Sequence, residues 1–300
     1  MGTATRQGIM LACQADAKNL SNLGRRVFLQ PKLNGERCRT VWQDGPQPIL
    51  LSSYCNSYEN IQHINDEVAR LNKEYFKLTG FKDLPLDGEL YRHGMTWSQI
   101  RSIASRSVNE HSESAALQYH IFDLRLTDMP QHERFDLLNA LFKDFSSDVI
   151  VQVKTLDIDS KEVFVHCESI CANGYEGVIV RDHHAVYVPE RTRTLLKYKP
   201  TEEDTYKIVD IREALEGGTR KGKGMVGAFY VCSDDNVKFK VSAGRMNHKE
   251  RIRIWAIRQQ VFESGQLLLV RHEKLRTING VPLGCVGLSL VDATYEEKAK

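Results

Sequence analysis

After Lys199-Pro200 the chain changes character, and this change limits the possible folds more than any other single feature. Before it, short extended stretches are interleaved with helical ones. Ile61 to Leu78 carries Ile61, Ile64, Val68, Leu71 and Phe76 at mostly helical spacing, and Arg134 to Phe145 repeats the pattern with Phe135, Leu138, Leu141 and Phe142. Both predict amphipathic helices lying on a sheet, and a further helix is expected over Ser160 to Ala172. Val27 to Trp42 alternates apolar and polar residues, is broken by Asn34-Gly35 and is followed by the turn Asp44-Gly45-Pro46, which predicts paired strands. Leu84 to Tyr91, Gln118 to Leu124, Val149 to Val153 and Gly177 to Arg181 read as further strands. After the acidic Thr201 to Asp204, the extended stretches are Tyr206 to Ile211, Met225 to Cys232, Val237 to Val241 and Leu267 to Leu275, with one helix near Asn247 to Phe262. The expectation is an α+β domain over residues 1–200 and a small β-barrel over residues 201–300.

Composition agrees with two domains. A chain of 300 residues buries roughly three quarters of its unfolded surface and needs no staple. Hydrophobic residues at 41%, charged residues at 27% and a mean hydropathy of -0.40 exclude a disordered, fibrous or membrane-embedded class. The longest apolar runs, such as Gln266 to Val270, fall far below the roughly 18 residues that cross a bilayer. Met1 to Gln7 is polar and lacks a signal-peptide core. Seven scattered cysteines, with Cys167 and Cys171 the closest pair, suggest reduced thiols in a cytoplasmic compartment rather than disulfides or zinc. Residues 201–300 hold 17 Lys and Arg against 14 Asp and Glu, with cations clustered in Arg220-Lys221-Gly222-Lys223 and from Arg245 to Arg253. Such clusters suit a polyanion, although a merely solvated surface would read the same way.

Lys32-Leu33-Asn34-Gly35-Glu36-Arg37 places a lysine at a strand end, then a glycine that admits close backbone approach, then an arginine. Alone it means little, because lysine before a turn is common. Four further blocks follow in one order: Asp87-Gly88-Glu89-Leu90, Phe122-Asp123-Leu124, Glu176-Gly177-Val178-Ile179-Val180-Arg181, and Leu195-Leu196-Lys197-Tyr198-Lys199-Pro200. Each has an ordinary reading taken singly. Glu89 and Glu176 could be exposed strand-end carboxylates, Phe122 a core aromatic, and Lys197 and Lys199 two outward positions of an edge strand.

Together, and in this order from about Met10 to Cys285, the blocks resemble the covalent nucleotidyltransferases, most closely the small ATP-dependent DNA ligases of viruses and phages. The resemblance implies a nucleotidyltransferase domain of two packed antiparallel sheets with helices, followed by an oligonucleotide-binding (OB) barrel. It implies Lys32 as the nucleophile that takes AMP from ATP, and an amine can attack only when unprotonated. It further implies that Phe122 stacks on the purine, Glu89 accepts from the ribose hydroxyl, Gln30 and Arg37 flank the nucleotide, and Lys197 and Lys199 neutralise the phosphate. Glu176 would organise a hydrated magnesium ion. The expected activity is sealing of 5'-phosphate/3'-hydroxyl nicks in duplex DNA, by a monomer without membrane attachment, with Arg220, Lys221, Lys223 and Arg245 gripping backbone phosphates. The glycines around Lys221 and Lys223 predict a mobile loop there.

The chain also departs from the family pattern. Asn34 stands where the family usually has aspartate, Ser53 stands near the place of an arginine, and Val281 to Leu290 carries no cation where the barrel's closing segment usually has one. The short stretch before Lys32 leaves no room for a nicotinamide-recognition domain, which favours ATP over NAD. An RNA ligase or capping guanylyltransferase would share the lysine chemistry. A non-catalytic nucleotide- or DNA-binding protein is the reading from another class, although an abandoned site would be expected to lose Lys32, Glu89 or Lys199 first.

Overall fold

The computed structural model describes residues 5–217, 221–274, 276–277 and 279–292. The chain forms two compact units, Met1–Tyr198 and Lys199–Lys300. Among the described residues no helix is long and apolar enough to cross a membrane.

The first unit holds two five-stranded sheets. One is built from β1 (Leu11–Gln14), β2 (Arg26–Lys32), β8 (Leu156–Asp159), β9 (Gly177–Asp182) and β10 (Arg191–Tyr198), in the order β1-β10-β9-β2-β8. The other holds β3 (Glu36–Val41), β4 (Ile49–Ser52), β5 (Leu86–Tyr91), β6 (Gln118–Leu124) and β7 (Ile150–Gln152), in the order β4-β3-β5-β6-β7. Each sheet departs from the expected all-antiparallel pattern at one edge, where β1 runs parallel to β10 and β7 parallel to β6. The larger correction concerns β2 and β3, expected as a pair. They lie in different sheets, so Leu33 to Gly35 is a crossing rather than a hairpin turn. The turn residues are the same for both outcomes. Which strands pair is decided by partners far along the chain.

One face of the second sheet is apolar, with Cys38, Leu50, Leu86, Leu90, Tyr119 and Ile121 in its core. Onto it pack α2 (Gln62–Thr79), α3 (Trp97–Ala104) and α4 (Gln131–Phe142), through Ile64, Val68, Leu71, Ile100, Ile103, Leu138 and Leu141. In α2 the buried stripe continues from Leu71 to Tyr75, whereas Phe76, expected in the core, is 49% exposed. At 100° per residue, position 75 stays on the stripe and position 76 turns off it. Gly80, with φ 77°, ends α2 in the left-handed conformation, and its N–H donates to Phe76 O at 2.8 Å. The first sheet is covered in turn by α1 (Ala17–Ser21) and α5 (Val163–Ala172), around Val27, Leu29, Val163, Cys167, Val178, Val180 and Leu196. Strand β10 is interior to its sheet, lying between β1 and β9, so the edge-strand reading of Lys197 does not hold.

The second unit is a closed barrel of β11 (Thr201–Leu215), β12 (Gly222–Cys232), β13 (Lys238–Ser242), β14 (Leu267–Glu273) and β15 (Val286–Val291), in the order β11-β12-β13-β15-β14. The long β11 pairs through Thr201 to Lys207 with β14 and through Lys207 to Leu215 with β12. Register shifts between Ile208 and Leu215 let it bend around the barrel. Tyr206, Ile208, Phe229, Val231, Phe239, Val241, Leu268 and Val270 fill the interior. The single helix expected between β13 and β14 divides at Ile257 into α6 (His248–Ala256) and α7 (Arg258–Glu263).

Candidate active site

Lys32 is the last residue of β2, and in the register of the first sheet it lies opposite Gly177, with Gln30 opposite Ile179 and Lys197 also opposite Ile179. Residues paired across strands point to the same side, so Lys32, Gln30 and Lys197 share one sheet face. In the second sheet Arg37 lies opposite Glu89 and Arg39 opposite Asp87, on the face away from the apolar core. Gln30 bonds from one sheet to the main chain of Phe122 in the other. The candidate site lies between the two polar faces.

Gly35, in the crossing from β2 to β3, makes the approach possible. A Cβ there would sit 2.2 Å from Leu90 O and 2.9 Å from Glu89 Cγ, so no other residue could let the crossing pass so close to β5. Its N–H donates to Glu89 Oε1 at 3.2 Å. Burial pushes the Glu89 carboxyl up to about 7, against the opposing pull of Lys32 and Arg37. Lys32 Nζ forms an ion pair with the Glu176 carboxylate, and Glu176 N–H donates to Lys32 O at 3.3 Å. Glu176 is buried, and Glu89 is only partly accessible, so neither is the exposed strand-end carboxylate of the ordinary reading.

Arg37 and Asp87 form a bidentate pair, with Nε to Oδ1 at 2.7 Å and Nη2 to Oδ2 at 2.6 Å. Burial opposes the Arg37 charge, yet Asp87 holds it above the ordinary arginine range. The Arg37 guanidinium stands 4.6 Å and that of Arg181 5.3 Å from the centre of the Phe122 ring. Phe122 is partly buried against the core of the second sheet.

Gln30 is 2% exposed and its amide is fully used. Nε2 donates to Phe122 O at 3.0 Å and Thr155 Oγ1 at 2.9 Å, and Oε1 accepts from Arg181 Nε at 2.8 Å. It therefore sets the main chain that carries Phe122. Beneath it, Asp123 accepts from Arg134 Nε at 2.8 Å and from Arg181 Nη1 at 2.7 Å. Burial works against the Asp123 charge, but Arg181 and Arg134 together hold the carboxyl below the usual range. Asp123 and Arg181 stood within the sequence blocks without an assigned role, and Arg134 and Thr155 stood outside them. No local pattern announces a network whose bonded members are 11 to 151 positions apart.

Lys199 belongs to the second unit, where its Nζ meets Glu273 Oε1 at 2.9 Å. Lys221 Nζ lies 3.5 Å from Glu216 Oε1 just before β12, Lys223 lies within β12, and residues 218–220 of the expected loop lie outside the described residues. Glu216 N–H donates to Lys221 O at 2.9 Å, and Gly224 N–H to Glu213 Oε1 at 2.7 Å, which ties β11 to β12. Arg245 is exposed between β13 and α6. Arg220 lies outside the described residues.

Residues 9–199, which span the whole candidate site, match the family model described as ATP dependent DNA ligase domain. The chain belongs to this family. A DNA ligase of Methanopyrus kandleri is 24% identical over 254 residues, which cover 76% of this chain and 42% of that protein. The chain thus corresponds to less than half the length of that relative. Among solved structures, Pmar-Lig_PreS3 superposes with a TM-score of 0.77 at 23% identity, over 94% of this chain and 67% of its own. A Lig E DNA ligase, described as binding DNA with a minimal scaffold, gives 0.70 at 19% identity, over 95% of this chain and 99% of its own. The ATP-dependent ligase of bacteriophage T7, complexed with ATP, gives 0.53 at 15% identity, over 94% of this chain and 98% of its own. At these identities the structural likeness establishes a shared fold for this ligase-family chain.

Proposed function

We propose that this chain is an ATP-dependent DNA ligase that seals 5'-phosphate/3'-hydroxyl nicks through a lysyl-AMP intermediate. The observation that carries the reading is the Lys32–Glu176 pair, at the end of β2 and beside the glycine crossing, inside the region that the ligase family model matches. A lysine amine attacks phosphorus only after losing its proton, so as the nucleotide binds the ion pair opens and that proton passes to solvent. Lys32 Nζ then bonds to the α-phosphorus, the bond to the bridging oxygen breaks, and pyrophosphate leaves. The nick's 5'-phosphate takes the AMP and frees the lysine. Attack by the 3'-hydroxyl on that phosphate closes the strand and releases AMP.

Phe122 stacks on the purine, Glu89 accepts from the ribose, and Arg37 and Lys197 meet the phosphate side of the nucleotide. Their fixed positions supply most of the catalysis in phosphoryl transfer, where positioning and charge stabilisation outweigh covalent chemistry. Lys199 is the remaining proposed phosphate contact. The donor set suits a hydrated magnesium ion. Among the described residues no cluster of three or more His, Cys, Asp or Glu is arranged to hold a metal, so Glu176 would give one carboxylate and water and phosphate oxygens the rest. When bound, the ion neutralises charge on the phosphates.

The barrel's strand order, with its fifth strand between the third and fourth, supports its reading as an OB fold. Lys221, Lys223, Arg245 and Arg220 are its proposed contacts to duplex phosphates. The test is self-labelling by α-labelled ATP against GTP, followed by sealing of nicked duplexes made of DNA or RNA strands. Labelling by ATP and sealing of DNA support the reading. Labelling by GTP instead indicates a capping activity, and preference for RNA strands an RNA ligase. In Lys32→Ala and Lys32→Arg no label is expected, since guanidinium keeps its proton.

A further inference from the structure

Met10, Tyr187, Asp87 and Arg37 close a ring of hydrogen bonds behind the candidate site. The Tyr187 hydroxyl donates to Asp87 Oδ2 at 2.6 Å and accepts from Met10 N–H at 3.0 Å. Arg37 Nη2 donates to the same Asp87 oxygen at 2.6 Å and reaches Met10 O at 3.3 Å. Met10, Asp87 and Tyr187 are all buried, Tyr187 to 2% exposure. Burial, and after it the Asp87 charge, pushes the Tyr187 phenol well above its ordinary range, so the hydroxyl keeps the proton it donates.

Tyr187 comes from the connection between β9 and β10, and Met10 immediately precedes β1, whereas Asp87 and Arg37 belong to β5 and β3. The ring therefore fastens one sheet to the other at the back of the arginine that stands over Phe122. Asp87 holds the guanidinium from one side. Tyr187 and the Met10 peptide fix where Asp87 and the guanidinium can sit.

We propose that Tyr187 is a positioning residue for nucleotide binding, whose hydroxyl holds Asp87 and through it fixes Arg37 beside the Phe122 ring. The inference rests on the reading that Arg37 and Phe122 flank ATP. Removing the hydroxyl leaves the Met10 N–H without its acceptor and Asp87 with one donor fewer, both out of reach of water. Arg37 then keeps its charge and loses its fixed place. Affinity for the nucleotide falls, while the reactivity of Lys32 toward a nucleotide already bound is preserved.

The test uses the full chain and α,β-methylene-ATP, whose α–β bridge resists cleavage, so that binding is read apart from chemistry. Tyr187→Phe should weaken binding about tenfold, equivalent to about 1.4 kcal/mol. In single-turnover self-adenylation with ATP, the half-saturating concentration should rise by a similar factor, with the maximal rate within about twofold of wild type. In an Arg37→Lys background the same change should have little further effect, because Tyr187 acts through the guanidinium fork that lysine lacks. Additive effects in that cycle, or unchanged affinity with only a lowered melting temperature, would overturn the inference. If Tyr187→Phe does not fold, Asp87→Asn in the same cycle with Arg37→Lys reads the link from its other end. If the analogue binds and responds to Tyr187→Phe but wild type forms no AMP adduct, the proposed chemistry fails and the positioning role stands. If the adduct forms and the affinity is unmoved, the role fails and the chemistry stands.

Discussion

In the first unit the charges around the candidate site are buried and locked to one another. Arg134 and Asp123 have side chains at 0% exposure, Arg181 is at 4%, and Arg37 is paired with an Asp87 at 1%. In the second unit Lys199 with Glu273 is half-buried, but Arg212 with Asp210 and Lys221 with Glu216 sit largely in water, the Lys221 side chain being 75% exposed. Buried pairs are costly to assemble and severely damaging to break, so they hold geometry. Exposed pairs are worth little to the fold and are screened by salt, so they exchange readily for another anion. The first arrangement suits a pocket that must hold one nucleotide in a single pose. The second suits reversible contact with a polyanion.

The contrast is broken most severely at Asp123. Asp123→Ala leaves Arg134 and Arg181 buried without their shared carboxylate and should cost about 3–5 kcal/mol of unfolding free energy in the first unit. Urea unfolding followed by the signal of that unit checks this, and a loss under 1 kcal/mol would mean that the two arginines find other partners. Asp210→Ala, the matching change in the barrel, should cost less than about 1 kcal/mol because its partner is solvated.

A second test exploits the Glu89 carboxyl, whose folded pKa of about 7 stands above the ordinary 4.5. The folded state binds the proton more tightly, so the group's contribution to stability is complete below about 4.5 and is lost as pH rises through about 7. Glu89→Gln, which cannot ionise, should therefore gain on wild type between pH 4.5 and 8, by roughly 3 kcal/mol. Unfolding midpoints across that range measure it. A constant difference between the two proteins would show that Glu89 titrates normally.

How much of this could be read from the sequence depended on how local the signal was. The α2 stripe from Ile61 to Leu71 and the strand Gln118 to Leu124 announce themselves within their own residues. Helix α3 was missed because it has only eight residues, although its capping box of Thr96 and Gln99 was there to be read. Strand β10 was missed as an element because Arg191 to Thr194 reads as polar surface, while its C-terminal half is apolar and interior. At the site, Lys32, Glu89 and Glu176 were found from residue type and order. The roles of Gln30, Asp123, Arg181 and Tyr187 depend on partners brought together only by folding, which periodicity cannot report.

The smallest expected effect lies on the barrel. Lys221→Ala with Lys223→Ala should leave stability within about 0.5 kcal/mol of wild type. It should reduce the salt dependence of nicked-duplex binding by up to about 0.9 in the log-log slope for each lost phosphate contact. Fluorescence anisotropy at several salt concentrations reads the slope. An unchanged slope would place the duplex on other residues.

If the locked pocket of the first unit serves to put AMP on Lys32, intact-protein mass spectrometry after mixing the chain with ATP and magnesium registers the transfer as a change of mass. The expected result is a covalent gain of one adenylate, mapped by peptide digestion to Lys32, released on adding pyrophosphate and absent in Lys32→Ala. An unchanged mass under these conditions, or an adenylate on another residue that persists in Lys32→Ala, would contradict it.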